Sequence, residues 1–457
     1  MQFASLHMSQ PFVYKGMKHM FPDLDEECRR SEISIMPGDP AFVIAGVPIP
    51  TPSPYRESGF PLAIFAGRAG TETLIRRLVL DKIAHPNIEY ITGTVTDVLP
   101  SPTDHSRLST VVVRTESGIQ EFEAALVADC TGPARVGLKW LQRHGYGYLP
   151  DSAPSPTSSL QNYPNGTLPL DQLKISLDQK LRYTSIIFRL RPEFHDSLPF
   201  PPHLKHAKQI CTYMDDGSEE SIKAGKGMFV LVRADGGHFC AFTGHYGSTR
   251  SQPTNITEMK AYVRSFKPKK PIPEWIFGIL DMLEDIQDEG SVSALKVPPT
   301  TYVQYHRAVN LPSNFVALGD SVITVNPVFG EGAAKALRCA LSLHKTLHSA
   351  LASGYKDTLP PNFSVNFFAE ACNKTDWIWQ NTRLTDYGLP TTEPIAGESL
   401  SSGAFLRRYG NHMQGLAPKN EIAAWVLYTI IAGLGTPIDA LHPRLMLRIL
   451  WSMCWSS

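Results

Sequence analysis

Charge imbalance, patterned cysteine and long apolar runs are all missing from this chain of 457 residues. Lys plus Arg number 43, as do Asp plus Glu, so no global field draws the protein to nucleic acid or to an anionic membrane. The seven cysteines are an odd number, scattered without C-x-x-C or Cys/His ligand spacing. That pattern indicates neither a disulfide framework nor a zinc site, and makes a reducing, cytoplasmic setting the expectation. The opening segment, MQFASLHMSQPFVYKGMKHMF, lacks the apolar core of a signal peptide. The most apolar late run, Ala423 to Leu434, is too short to span a bilayer. No internal repeat occurs, and the Pro/Ser-rich stretch 150–169 is expected to be a loop crossing between lobes. Ser-His-Asp chemistry has no supporting G-x-S-x-G.

What is present concentrates in residues 315–343, FVALGDSVITVNPVFGEGAAKALRCALSL. The apolar run Phe315 to Leu318 predicts a buried parallel strand. Gly319 and Asp320 follow at its carboxyl end, where open α/β sheets place their ligands. A loop, Asn326-Pro327-Val328-Phe329, then leads to Gly330-Glu331-Gly332 at the mouth of an Ala- and Leu-rich helix. Glycine admits a ligand close to the backbone, and a helix N-terminus offers N–H groups and a positive dipole end to an electron-rich group. Gly-Asp alone is a common turn. The whole string GDSVITVNPVFGEGAAKAL, however, resembles the second flavin-binding motif of FAD-dependent monooxygenases of the aromatic-hydroxylase type. The resemblance implies that Asp320 holds the ribitol chain of FAD, that Pro327 lies near the reactive edge of the isoalloxazine, and that the Gly330 to Gly332 turn faces its pyrimidine oxygen.

Upstream, residues 66–84 read as a helix with Leu74, Leu78 and Ile83 near one face. A strand is expected at 88–91, hairpin strands at 95–99 and 111–114, and a run from Glu121 to Cys130 ending in Asp129-Cys130-Thr131-Gly132. This order resembles the same flavoprotein family, whose corresponding turn usually reads D-A-T-G. The resemblance implies that Arg68 lies against the FAD phosphates and ribose, a task suited to a forked guanidinium. It also implies that Asp129 and Gly132 let strand and cofactor approach closely. Cys130 is expected to be a small buried hydrophobe, since only Arg135 is near enough to lower its pKa.

The middle third predicts an antiparallel sheet from 183–190, 228–234 and 238–244, with Asp235-Gly236-Gly237 as a hairpin signal. The family uses such a sheet as a substrate wall. Helical segments are expected within 255–277 and 275–288, and again beyond Leu343. Trp377 and Trp379 do not form the flavin-dependent halogenase motif W-x-W-x-I-P, because Asn381 and Thr382 stand where Ile and Pro are needed and the segment follows the Gly-Asp motif. Both tryptophans are expected on the core side of a helix. The stretches FFAEACNKTDWIWQNTRLTDYG and TPIDALHPRLMLRIL resemble a subgroup of FAD-dependent oxidoreductases of bacteria and fungi.

The G-x-G-x-x-G βαβ unit with which this class begins is not found; residues 8–27 resemble the helix that normally follows it. The fold class expected is therefore α/β with α+β lobes. An incomplete Rossmann-like FAD-binding domain (1–150, continued at 301–350) joins an antiparallel-sheet substrate domain (151–300) and a C-terminal helical region (351–457). The resemblance implies a FAD-dependent monooxygenase that uses NAD(P)H, reduced flavin and O₂ on a hydrophobic small molecule. A truncated, non-catalytic remnant of that family or a flavin-dependent isoprenoid reductase is the alternative. FAD binding by this polypeptide is expected to be weak or absent. Catalytic residues are unassigned, with Arg189, Arg233, His238, His245, Tyr305 and His306 as candidates.

Overall fold

The computed structural model describes residues 9–39, 43–44, 47–81, 83–149, 163–164, 166–205, 209–214, 218–247, 249–267 and 271–455. Most of the Pro/Ser-rich stretch at 150–169 lies outside them.

Two helices open the described chain, α1 (Pro11–Met20) and α2 (Leu24–Arg30). Pro11 starts α1 where a missing N–H costs nothing. Strand β1 (Ser34–Pro37) is followed by the short ladder β2 (Val43–Ile44) and β3 (Val47–Pro48), then helix α3 (Ser53–Ser58). Strand β4 (Leu62–Phe65) pairs antiparallel with β1 and leads into α4 (Arg68–Leu80). Leu74 and Leu78 of α4 pack with Val13, Met17 and Leu24, as their spacing predicts. The helix stops at Leu80 because the Asp81 carboxylate accepts from Ile83 N (2.9 Å), an Asx turn that competes with the helix. Ile83, expected on the buried face, is 95% exposed. The strand expected at 88–91 does not form; that segment is irregular.

Strands β5 (Thr94–Pro100) and β6 (Leu108–Thr115) form the expected hairpin, and β7 (Gly118–Glu123) adds to β6 as a third antiparallel strand, so the run expected from Glu121 to Cys130 breaks in two. Strand β8 (Val127–Asp129) and helix α5 (Val136–Arg143) follow. Strand β9 (Lys174–Leu177) precedes β10 (Leu181–Arg189), helix α6 (Pro192–Ser197), β11 (Gln209–Met214), helix α7 (Glu219–Lys223), β12 (Met228–Arg233) and β13 (His238–Tyr246). After α8 (Ile256–Arg264) and α9 (Glu274–Glu284) come β14 (Ser291–Lys296) and β15 (Thr300–Val303). The five-stranded antiparallel sheet runs β11-β12-β13-β10-β14, while β9 pairs with β15.

Alternation along these strands makes two apolar faces. Phe188, Phe229, Leu231, Phe239 and Ala241 meet Ile256, Met259, Ile276 and Leu280 of α8 and α9. Val230, Val232, Cys240, Phe242 and Tyr246 face the other way, toward Val328 and Leu389.

Strand β16 (Phe315–Ala317) pairs in parallel with β8, Phe315 opposite Val127 and Ala317 opposite Asp129. All three of its residues are buried, as the apolar run predicts. Helices α10 (Gly332–Ala352), α11 (Phe363–Asp386), α12 (Ala404–Leu416), α13 (Glu421–Ile431) and α14 (Pro443–Trp455) complete the molecule. The architecture is mixed α/β, with antiparallel sheets and a helical C-terminal region. Trp379 is buried 5.5 Å from Tyr302, and Trp377 lies half-buried 5.4 Å from the Arg338 guanidinium. No helix among the described residues is long and apolar enough to cross a membrane.

Candidate functional site

The pairing of β8 with β16 sets the D-C-T-G and Gly-Asp turns side by side. Leu318 N donates to Asp129 O (3.0 Å), and Gly132 N donates to Ser321 Oγ (2.9 Å), so the two turns are stitched together. Gly319 turns the chain with a φ of +61°, a left-handed value that a side chain would disfavour.

Asp129 points inward. Its oxygens accept from Thr131 N (2.8 Å), Thr131 Oγ1 (2.6 Å), Ser321 Oγ (3.2 Å) and Gly137 N (3.1 Å), and the residue is buried. Asp320 points outward with its side chain 43% exposed, and one oxygen is held by the ammonium of fully buried Lys335. Lys335 also donates to Ile323 O, which binds helix α10 to the Gly-Asp turn. Nothing in the sequence singled out Lys335. A lysine one turn inside a helix is ordinarily solvated, and only its burial reveals the pairing.

Gly330, in a left-handed turn with φ +66°, and Gly332 at the start of α10 would meet no atom within 4 Å if given a Cβ; the same holds for Gly132. Space therefore lies directly in front of the helix mouth. Between the two glycines, Glu331 is buried with Oε2 lacking a hydrogen bond. Burial pushes its carboxyl up to about 8 against the opposing pull of Arg338 and Lys335.

Pro327 lies in a short 3-10 turn that Asn326 caps by accepting from Val328 N (3.0 Å). The Asn326 amide also donates to Asp386 Oδ1 (2.8 Å) and Tyr246 Oη (3.2 Å), so the loop is fixed to α11 and β13 together. Burial raises Asp386 to about 7 and leaves its Oδ2 without a partner. Asn326 and Tyr246 were not among the predicted residues.

The remaining candidates disperse. Arg68 is exposed at the first position of α4, and the preceding Gly67 N donates to the Asp235 carboxylate. A Cβ on Gly70 would also strike that carboxylate, so this helix mouth already holds an acid. Cys130 is solvent-exposed, contrary to expectation, because it shares the outer face of β8 with Ala128. Crowding around the sulfur and the neighbouring Asp129 raise its thiol pKa. Arg233 and His245 lie on the sheet face turned to α8 and α9. Arg233 stacks over Phe200 at 4.2 Å, and burial lowers it to about 10. Burial lowers His245 to about 4, which keeps it neutral. Arg189 is exposed at the end of β10, and His238 Nδ1 lies 2.7 Å from Asp235 O. Tyr305 stacks on Phe368 at 4.7 Å, and His306, lowered by burial, lies 3.4 Å from Tyr302 Oη.

Two cavities sit apart from the paired turns. One, of about 370 Å³, lies between α10 and α11 near Lys345 and Glu370. The other, of about 340 Å³, is lined by His195, Arg233, Asp235 and His238. Among the described residues no group of three or more His, Cys, Asp or Glu is placed to hold a metal ion.

No family model and no curated protein matches the sequence. Solved structures do match in fold. OxyS anhydrotetracycline hydroxylase from Streptomyces rimosus superposes with a TM-score of 0.52 at 16% identity, over 95% of this chain and 69% of that one. PqsL from Pseudomonas aeruginosa, described as a probable FAD-dependent monooxygenase, gives 0.54 at 14%, over 85% and 87%. The flavin-dependent brominase Bmp2 gives 0.52 at 12%, over 99% and 90%. The chain has the fold of the FAD-dependent, aromatic-hydroxylase-like monooxygenases.

Proposed function

We propose that this chain is a flavin-dependent monooxygenase acting on a hydrophobic small molecule, with FAD seated at the paired turns of β8 and β16. The observation that carries the reading is the open space before Gly330 and Gly332, bordered by the outward carboxylate of Asp320. The residues fit the isoalloxazine and ribitol end of the cofactor. Asp320, oriented by Lys335, accepts from ribitol hydroxyls. The start of α10 stabilises negative charge on the pyrimidine edge through its N–H groups and dipole. Glu331, kept neutral by burial, does not oppose that charge. Gly132 leaves room for the cofactor, Gly319 turns the chain close against Ala336 of α10, and Asp129 holds their turns in register. Val328, next to Pro327, borders the apolar face of the large sheet, which gives a hydrophobic substrate a dry wall.

FAD supplies the activation of O₂ and the oxygen transfer; the chain supplies position, polarity and exclusion of water. A nicotinamide cofactor is the electron donor. The adenosine end fits less well, because the mouth of α4 beside Arg68 holds the Asp235 carboxylate where a phosphate would be repelled.

The test is NADH or NADPH oxidation with O₂ uptake on adding FAD. Flavin-dependent turnover that disappears in Gly332→Val, with an unchanged melting temperature, is the expected result. Absence of flavin-dependent turnover over a panel of hydrophobic aromatics would contradict the reading.

A further inference from the structure

We infer that α14, with the turn before it, docks the protein on the surface of an anionic lipid bilayer. Helix α14 is apolar on two sides. Leu445 and Ile449 are buried against α12 and α13, with Met446 and Met453 packed beside them. On the opposite side Leu447, Trp451 and Trp455, at i, i+4 and i+8, form one stripe that is 67%, 68% and 73% exposed. The two indole rings stand 5.5 Å apart. Leu450 adds to this side, while Ile438 and Leu441 extend the exposed apolar surface just ahead of the helix. A second apolar stripe of this size on a helix is normally covered by a partner or a membrane.

Charge selects the occupant. Residues 443–457 contain Arg444 and Arg448 and no acidic residue, and neither arginine makes an ion pair among the described residues. Asp439, the nearest acid before the helix, is engaged by Thr436 N (2.6 Å). Leucine and tryptophan flanked by unneutralised arginines is the composition of a helix lying in the headgroup region, aromatic rings at the interface and guanidinium groups on phosphate. A second copy packed stripe to stripe would bring the same four arginines together without a counter-charge. The helix does not span the membrane: its 13 residues are too few. The inference is independent of the flavin site.

Flotation of the full chain with vesicles of phosphatidylcholine and phosphatidylserine in roughly equal parts tests it. The chain should float with them, and less so with phosphatidylcholine alone or at high salt. The variant Leu447→Ser/Trp451→Ser/Trp455→Ser should keep its melting temperature and lose about tenfold or more in partitioning, since each exposed apolar side chain contributes by its burial. Arg444→Gln/Arg448→Gln should lose the preference for phosphatidylserine while keeping the fold. Failure to float, or flotation unchanged in the triple serine variant, would overturn the inference. So would a dimer in light scattering that the triple serine variant dissociates in the absence of vesicle binding.

Discussion

Glu331 and Asp386 set a pH dependence that belongs to single residues. Burial lifts Glu331 from the ordinary 4.5 to about 8 and Asp386 from 3.8 to about 7. Below pH 3.8 the proton is bound in folded and unfolded chains alike. As the pH rises, the unfolded chain releases its protons first, so the folded state loses stability progressively until pH 8. The loss is on the order of 5 kcal/mol for each group. Melting temperatures should fall less steeply for Glu331→Gln than for the parent between about pH 4.5 and 8, with parallel curves above that. Asp386→Asn should flatten the part below pH 7. An identical slope in parent and variants would remove the burial account of both groups.

At this scale the sequence was readable where chemistry and position coincide. Gly319, Asp320, Pro327, Gly330 and Gly332 announce a turn, a carboxylate and a helix start in order, and the structure has the left-handed turn at Gly319, the outward carboxylate of Asp320 and the start of α10 at Gly332 in that order. Lys335, Asn326 and Tyr246 were hidden, because what matters about them is burial and a partner 15, 60 or 80 residues distant. Cys130 was misread because β8 has one exposed face, a fact of packing and not of the local sequence.

Among elements, the contact between the β12–β13 turn and α4 has the clearest consequence. The Asp235 carboxylate caps α4 by accepting from Gly67 N, a role worth about 0.5–2 kcal/mol. Asp235→Ala should lower stability by that amount in urea titration. The same change should raise affinity for FAD relative to FMN, because it frees the helix mouth beside Arg68. In the parent chain FAD and FMN should bind within about tenfold of each other, since the AMP half gains little there. FAD binding more than about a hundredfold tighter than FMN in the parent would contradict this placement.

Strands and helices with strong period were legible: β10, β12, β13, β16 and α10 lie where alternation and capping put them. The face each side chain takes was not. Arg233 and His245 carry attractive chemistry, yet strand parity sends them toward α8 and α9, while Tyr246, one residue on, reaches the Pro327 loop. The missing strand at 88–91 shows a second limit. Ile88, Tyr90 and Ile91 have strand-forming side chains, but a strand needs a neighbour, and a neighbour is a tertiary fact.

On the scale of the whole molecule, α11 ties the parts together: it packs on α10, supplies Asp386 to the Pro327 loop and buries Trp379 against Tyr302. Trp379→Ala should cost about 3–5 kcal/mol, as for a large buried aromatic, and loosen the Pro327 loop with it. A loss under about 1 kcal/mol by chemical denaturation would show that α11 does not tie these elements together. The contacts that single polar residues such as Asn326 and Asp235 make between segments far apart in sequence were not legible in the sequence.

The most direct test of the flavin site is a titration of purified protein with FAD, followed by quenching of flavin fluorescence, in the parent and in Gly332→Val. Saturable one-to-one binding in the parent, weakened about tenfold or more by a valine that leaves the melting temperature unchanged, is the expected result. No saturable binding, or binding indifferent to that valine, would contradict the placement of the cofactor at the paired turns of β8 and β16.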